Sequence, residues 1–378
     1  MNAEEGETRR QAEPQRTEPP ATVSASPLLP SSPSSVETLH PAYFAMAMAT
    51  GIVSIACHLV GFTRLATGLF WLNVGIYAGL WILTLLRVIR YPANIVADLK
   101  DHVRGVGFFT AVAGTCVLGS GALIIGGSPR VAGILWGFGT LLWGVLTYTV
   151  FTALTVRRSK PPLSVGIHGG WLVAVVAAQS VAVLGAQLGP GLKPYDVHAL
   201  FFALAMWLGG GMLYVWIIGL IFYRYTFFEM APSDMSPPYW INMGAVAIST
   251  LAGTMLVAAA PHAQLLTELL PFIKGMTLAF WATATWWIPM LVILGVWRHV
   301  YRRFPIRYDP LYWGAVFPLG MYTACTFRLA VIFGVDFLRP VPRAFIYVAL
   351  AAWLATFVGW AKRIVNGARK RSLARVHA

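Results

Sequence analysis

Arg328 has the clearest chemical potential in this chain because it lies within a long apolar stretch, in the sequence CTFRL at residues 325–329. A charge at membrane depth is costly and is therefore a functional hypothesis by default. The planar guanidinium group suits a carboxylate or another oxyanion. The alternative is structural, in which the side chain reaches the membrane surface or pairs with Asp196 or Asp336. The residue types leave both readings open.

The cysteines and histidines form no pattern typical of a metal or cofactor site. Cys57, Cys116 and Cys325 lie in different apolar stretches and form no C-x-x-C pair, so neither a zinc site nor a disulfide framework is indicated. The sequence contains no G-x-x-x-x-G-K-[ST] loop for nucleotide binding. We therefore expect no metal, no cofactor and no enzymatic function. A membrane enzyme holding haem or quinone is the alternative from another class, since several histidines lie near the ends of apolar stretches.

Carboxylates are confined to the tails, the loops and the ends of the apolar stretches. Outside the N-terminal tail the acidic residues are Asp98, Asp101, Asp196, Glu229, Asp234, Glu268, Asp309 and Asp336. Ion-coupled pumps often carry Asp or Glu at mid-depth, and cation channels commonly use acidic rings. A path without such groups, in a chain of net charge +14, favours anions.

The elements that must position these residues are long apolar segments. The chain of 378 residues is 57% hydrophobic and 11% charged, whereas soluble domains carry about 25% charged residues. Crossing a bilayer takes roughly 20 apolar residues in a helix. The predicted spans are 41–62, 65–88, 105–126, 131–156, 165–188, 197–223, 238–260, 270–297, 309–334 and 341–361. The predicted fold is an all-α integral membrane protein.

Lys and Arg residues concentrate in alternate loops and in both tails. Because positive residues favour the cytoplasmic side, both termini are predicted to be cytoplasmic in a plasma (inner) membrane protein. The positive charge is thus explained by topology, and no nucleic-acid partner is expected. Residues 1–39, rich in Pro, Ser, Thr and Glu, are predicted to be a disordered tail. Residues 40–365 form the predicted transport domain, and 366–378 a basic cytoplasmic tail.

Short loops favour pairing of neighbouring spans, so ten spans predict five hairpins. The odd spans open on similar aromatic or glycine-rich sequences, such as PAYF at 41–44, GFF at 107–109 and PYW at 238–240. These starts predict a quasi-fivefold repeat, although aromatic residues also simply mark membrane interfaces. Glycines within the odd spans would leave room for a central pore if these spans form an inner ring.

Three sequence segments resemble the TehA family, which includes plant slow-type anion channels, fungal malic acid permeases, and bacterial tellurite-resistance and C4-dicarboxylate transporters. They are HPAYFAMAMATG at 40–51, PYWINMGA at 238–245 and YWGAVFP at 312–318. The resemblance covers roughly residues 38–365. It implies five hairpins around a central pore, a homotrimer with one pore in each protomer, and a phenylalanine plug in the ninth helix.

The position matching that plug is Phe317, which precedes Pro318. An apolar constriction can gate by excluding water, and a proline kink could aim the ring inward; packing between helices is the alternative. Arg328 is a departure from the channel pattern, and it could mark a branch that handles dicarboxylates.

The leading hypothesis is transport of small anions, either inorganic anions or C4-dicarboxylates such as malate, with tellurite resistance as a family association. The alternative is a proton- or ion-coupled dicarboxylate carrier using Arg328. The predicted pore-lining or anion-binding residues, besides Arg328, are Phe44, Thr50, Gly51, Phe108, Thr110, Gly114, Gly244 and Thr254.

Overall fold

The computed structural model describes the backbone of residues 36–376 and the side chains of residues 36–367. Most of the tail predicted over residues 1–39 lies outside this described part. At the other end, the helix of the last span continues through Val376, so the predicted tail from residue 366 begins as helix.

Ten helices in the described residues are long and apolar enough to cross a membrane. They are α1 (Pro41–Leu59), α2 (Thr63–Arg90), α3 (Gly105–Ile124), α4 (Pro129–Val156), α5 (Gly169–Gly191), α6 (Asp196–Phe227), α7 (Pro237–His262), α8 (Leu270–Tyr301), α9 (Pro310–Phe333) and α10 (Asp336–Gly367). No strand occurs between residues 36 and 376. The predicted all-α membrane fold is confirmed, with boundaries that differ by a few residues.

The odd and even helices differ in where they lie. Between 72% and 94% of the most apolar stretch of each odd helix is buried, against 11% to 44% for the even helices. A helix that is apolar all round is stable in a core or against lipid, so the odd helices form the core and the even helices provide the lipid-facing surface.

Helix contacts give the connectivity of this core. Each odd helix packs against the even helix that follows it. Each odd helix also packs against two other odd helices, in the cyclic order α1, α3, α5, α7, α9 and back to α1. The contacts therefore close a ring of five helices. Quasi-fivefold symmetry also requires that the five hairpins have equal geometry, and this part stays a prediction.

Every odd helix begins with a turn of 3₁₀ helix. The five turns are Pro41–Phe44, Gly105–Phe108, Gly169–Leu172, Pro237–Trp240 and Pro310–Tyr312. Each turn contacts the next one around the same cycle, and the last contacts the first. The N-terminal ends of the odd helices thus form a second closed ring of contacts.

Candidate functional site: a cationic cavity within the helix ring

A small, partly open cavity lies among the C-terminal halves of the odd helices. All five odd helices contribute to its wall. The lining residues are Ile52, Ile55, Leu59, Cys116, Val117, Ser120, Ile124, Ser180, Val183, Gln187, Ile248, Leu251, Met321 and Arg328. The cavity therefore lies inside the ring, where a path along the ring axis would run.

Arg328 is the charged residue of this wall. No ion pair or hydrogen bond of its side chain is found among residues 36–367. Asp336 pairs instead with Arg339 at 2.8 Å, so the pairing of Arg328 with Asp336 offered by the sequence is wrong. A half-buried cation with no acidic neighbour leaves its donors free for an anion in the cavity.

Neutral polar groups line the wall contributed by α3 and α5. Ser120 Oγ donates a hydrogen bond to Gln187 Oε1 at 2.8 Å. The Gln187 amide nitrogen lies 3.8 Å from Met255 Sδ on α7, a weak acceptor. Ser180 Oγ donates to the carbonyl of Ala177 at 2.8 Å. Sequence reasoning missed these three polar residues, although each is a polar interruption of an odd apolar span.

The spacing of residues along α9 relates Phe317 to the two cavity-lining residues of this helix, Met321 and Arg328. Phe317 precedes Met321 by four residues and Arg328 by eleven, so the three side chains fall within about 40° of one another around an ideal helix. Its Cα is about 6 Å closer than that of Met321 to the start of the helix. Phe317 is fully buried. Ideal helix geometry therefore places the Phe317 side chain one turn from Met321, on the side of the 3₁₀ turns.

Pro318 points elsewhere, towards α7. A Cβ built at Gly244 would lie 2.6 Å from Pro318 Cγ. Since a helix-interior proline lacks a backbone donor and crowds the preceding turn, the absent side chain at Gly244 gives the proline ring its place. Gly244 thus permits the close approach of α7 and α9.

The other predicted glycines also lie at helix contacts. A Cβ at Gly51 would meet Asn73 of α2 and Val117 of α3, each at 2.7 Å. A Cβ at Gly114 would lie 3.4 Å from the Phe44 carbonyl oxygen. The structure gives both glycines a packing role, and pore lining by them stays a prediction.

The predicted threonines hydrogen-bond within the helix bundle. Thr50 Oγ1 accepts a bond of 3.1 Å from Trp353 Nε1 of α10. Thr110 donates to the Gly107 carbonyl in α3 and to the Pro41 carbonyl at the start of α1. Thr254 donates to the Leu251 carbonyl at 2.7 Å. None of the three belongs to the wall of this cavity, and their contact with an anion stays a prediction.

The two predicted aromatic residues near the helix starts also lie away from the cavity wall. The Phe44 ring packs edge-on against Tyr77 and Trp81 of α2, with centroids 6.1 and 5.2 Å away. Phe108 is half-buried in the 3₁₀ turn that begins α3.

Histidines cap two of the 3₁₀ turns. His40 Nδ1 accepts a hydrogen bond from the Ala42 N–H, and His168 Nδ1 accepts one from the Gly170 N–H, both at 3.1 Å. Burial lowers the pKa of His40 to about 3 and that of His168 to about 4, and nearby arginines act in the same direction. Both imidazoles are therefore neutral near pH 7, as an accepting cap requires.

Arginines at the ends of even helices fix the starts of the odd helices. Arg224 at the end of α6 donates to the Ile167 carbonyl just before α5, and to Tyr239 Oη at 2.8 Å. The same relationship recurs in three more hairpins. The pairs are Arg87 with the Glu37 carbonyl, Arg157 with the Lys100 carbonyl, and Arg298 with the Met235 carbonyl. Each bond ties the end of a hairpin to the residues before its beginning.

A buried ion-pair network reinforces the first of these ties. Asp98 accepts from Arg87 at 2.8 Å and from Arg104 at 2.6 Å.

Among the described residues no group of three or more metal-ligating side chains is found.

A closed ring of membrane-length helices around a cationic cavity free of carboxylates defines the class as a polytopic membrane transport protein. The model of the SLAC1 family, described as voltage-dependent anion channel, matches residues 38–361, and the chain belongs to this family. The resemblance seen in the three sequence motifs is confirmed. Because the family consists of channels and transporters, the expectation of transport rather than enzymatic activity is confirmed as well.

Individual relatives agree with this membership. An uncharacterized membrane protein of Mycobacterium tuberculosis (strain CDC 1551 / Oshkosh) is 40% identical over 148 residues, covering 39% of this chain and 74% of the relative. An uncharacterized transporter of Methanocaldococcus jannaschii is 23% identical, covering 88% of this chain and 96% of the relative. A sulfite efflux pump of Trichophyton rubrum is 24% identical, covering 85% of this chain and 90% of the pump.

Proposed function

We propose that the protein passes small anions across the plasma membrane through the centre of its ring of odd helices, with Phe317 closing the path. The observation that carries this proposal is Arg328, an unpaired cation in a cavity to which all five odd helices contribute. Members of this class need a path through the membrane, and this cavity lies inside the helix ring.

The position of Phe317 supports its role as the gate. It shares the cavity-facing side of α9 with Arg328, and it is one of the largest fully buried side chains of the protein. An apolar ring at a narrow point excludes water and ions without charge. Pro318 and Gly244 hold this part of α9 against α7, which fixes the backbone that carries the ring.

The proposed orientation is supported by the arginines. Arg87, Arg157, Arg224 and Arg298 lie at the end of the bundle where the odd helices begin. Positive residues favour the cytoplasmic side, so we propose that the odd helices begin there, that both termini are cytoplasmic, and that the cavity opens outward.

Inorganic anions and C4-dicarboxylates such as malate are the proposed substrates, and sulfite joins them because one relative is a sulfite efflux pump. Tellurite handling remains a proposal from family resemblance alone. A homotrimer with one path in each protomer is proposed on the same ground.

The gate is tested by recording currents of the purified protein in planar bilayers under a chloride or malate gradient. Phe317→Ala should give a large anion current where the wild type gives little, because removing the ring opens the narrow point. Phe280→Ala is the matched control, since Phe280 is buried on α8 against Trp207 and away from the ring axis. Cation-selective current would contradict the proposed function.

A coupled carrier is the second candidate, and Arg328 favours it because a single fixed cation can act as a saturable binding site. Saturable uptake that depends on a proton or ion gradient, and that Arg328→Gln abolishes while the protein still folds, would support the carrier. Fast flux that does not saturate would support the channel.

A further inference from the structure

The loop between α8 and α9 carries three cations that have no acidic partner. Arg302, Arg303 and Arg307 are exposed, and none forms an ion pair in the part of the chain whose side chains are described. Asp309, the acidic residue at the end of this loop, instead accepts a hydrogen bond of 2.8 Å from the Leu311 N–H. A concentrated positive charge therefore lies at the end of the bundle where the odd helices begin.

The loop folds back on the end of α8, where the backbone is unusual. Helix α8 ends in a π-helical turn, Trp297–Tyr301, and such turns are frequent at functional sites. The Phe304 N–H donates to the Arg298 carbonyl at 3.0 Å, and the Phe304 carbonyl oxygen lies 2.9 Å from His299 Nδ1. Arg303 has a φ of 50°, a left-handed conformation that is uncommon outside glycine. A defined backbone thus presents the arginines of this loop.

Exposed apolar side chains are interspersed with the arginines. Val300, Tyr301 and Ile306 are all exposed. The Arg302 guanidinium carbon lies 5.6 Å from the centroid of the Trp297 ring and 5.7 Å from that of the Tyr301 ring. Basic residues mixed with exposed aromatic and aliphatic side chains are typical of the membrane interface, where charges meet headgroups and apolar groups meet acyl chains. This composition favours a lipid surface over a soluble partner.

Helix α10 brings two further cations to the same place. A Cβ on Gly359 would lie 2.8 Å from Tyr308 Cδ2, so α10 contacts the loop at this level. Lys362 and Arg363 follow three and four residues later, on the same face of the helix. Burial raises the pKa of the Tyr308 phenol, and the nearby Arg363 acts in the opposite direction. No acidic residue follows Asp336 in the chain, and neither cation forms an ion pair among the described side chains.

The five cations form one cationic rim, made of Arg302, Arg303, Arg307, Lys362 and Arg363. We propose that the cationic rim binds the headgroup of an anionic phospholipid. Both helices that carry the rim face lipid, so a phospholipid reaches it from within the bilayer. Arginine side chains bind phosphate oxygens through paired, charge-assisted hydrogen bonds. A soluble phosphate offers the same charge but no acyl chain to cover Tyr301 and Ile306, so a lipid fits this surface better.

This inference goes beyond the proposed function, since it concerns the lipid-facing surface and not the path. The proposed orientation places the cationic rim in the cytoplasmic leaflet, where anionic lipids attract clusters of Lys and Arg just outside a membrane helix. The loop leads directly into α9, the helix that carries Phe317. A bound lipid would therefore stabilise the start of that helix.

The test compares phosphatidylglycerol with phosphatidylcholine that has identical acyl chains and the same fluorescent label. Each lipid is titrated into the purified full-length protein in a neutral detergent, and binding is followed by fluorescence anisotropy. Phosphatidylglycerol should bind at least about tenfold more tightly, since each Lys or Arg near an anionic lipid adds attraction. Its affinity should fall at least about fivefold when salt rises from about 0.05 M to about 0.5 M, because exposed charges are screened.

Removing three charges distinguishes a defined site from general surface charge. The rim variant Arg302→Gln, Arg303→Gln, Arg307→Gln should bind phosphatidylglycerol at least about tenfold more weakly, and phosphatidylcholine as the wild type does. The matched control loses three exposed cations at the same end of the bundle, through Arg90→Gln, Arg158→Gln and Lys160→Gln. It should keep the wild-type affinity within about twofold, because attraction to a headgroup falls off within a Debye length.

Equal affinity of the wild type for the two lipids would overturn the inference, and so would equal weakening by the rim variant and the control. Displacement of phosphatidylglycerol by equimolar glycerol phosphate would overturn the lipid assignment in favour of a soluble phosphate. If the rim variant does not fold, the double variant Lys362→Gln, Arg363→Gln replaces it and should also weaken phosphatidylglycerol binding. The anion current of Phe317→Ala tests the proposed function separately, so its absence would leave the lipid site standing.

Discussion

The ring of Pro318 on α9 packs into the space left by the missing side chain of Gly244 on α7. Pro318 Cγ lies 2.6 Å from the position that a Cβ on Gly244 would occupy. Real Cβ atoms do not approach another carbon so closely. This contact lies one residue from Phe317, so it joins the packing of two inner helices to the proposed gate.

Gly244→Ala should therefore force α7 and α9 apart. Overpacking a tight core costs about 1–3 kcal/mol, so the midpoint of thermal unfolding in detergent should fall and anion current should change with it. Gly275→Ala is the control, because Gly275 is exposed on α8 with open space around it. Equal midpoints for Gly244→Ala and the control would show that the contact yields without cost.

Arg224 should contribute more to stability than any surface arginine. It is 6% exposed and donates to both the Ile167 carbonyl and Tyr239 Oη. Hydrogen bonds to charged groups contribute about 1.5–3 kcal/mol each, so Arg224→Gln should lower the free energy of unfolding by about 3 kcal/mol. Tyr239→Phe, which removes one bond, should have a smaller effect.

The control for Arg224 is Arg339→Gln, which removes the exposed pair between Arg339 and Asp336. Exposed pairs contribute at most about 1 kcal/mol. If Arg224→Gln is no less stable than Arg339→Gln in an SDS titration, the hydrogen bonds of Arg224 do not stabilise the protein as proposed.

Sequence alone predicted the ten helices and the charge at Arg328, because length, hydropathy and a lone intramembrane charge are local properties. It did not predict which face of each odd helix turns inward. These helices are apolar on nearly every side, so they carry no amphipathic pattern that would indicate a face. Thr50, Thr110 and Thr254 were chosen by residue type, whereas the cavity receives Ser120, Ser180 and Gln187 through helix packing.

Two partly buried histidines should make stability depend on pH. The pKa values of His40 and His168 are about 3 and about 4 in the folded protein, against an ordinary value of 6.5. As the pH falls below about 6.5, the unfolded chain binds protons that the folded protein does not bind until about pH 4, so stability decreases in this window. The stability that the two neutral histidines contribute is fully present above pH 7.

The measurement is the midpoint of thermal unfolding from pH 7.5 to pH 4.5. The double variant His40→Asn, His168→Asn keeps an accepting side chain at both caps and should show a flatter decline than the wild type. His262→Asn, at an exposed histidine, should retain the wild-type slope. An unchanged slope in the double variant would assign the decline to other groups.

Cys116 should report on the path from outside. It lines the cavity, whereas Cys57 and Cys325 do not. Thiol sulfur is a soft ligand, so Ag⁺ that enters the cavity should bind Cys116 and block the anion current of Phe317→Ala, recorded in nitrate solution because chloride would precipitate the silver. Adding Cys116→Ser should abolish this block, and adding Cys57→Ser should preserve it. If the cavity is the conducting path, the block requires the Cys116 thiol, so a block that persists in Cys116→Ser would place the path elsewhere.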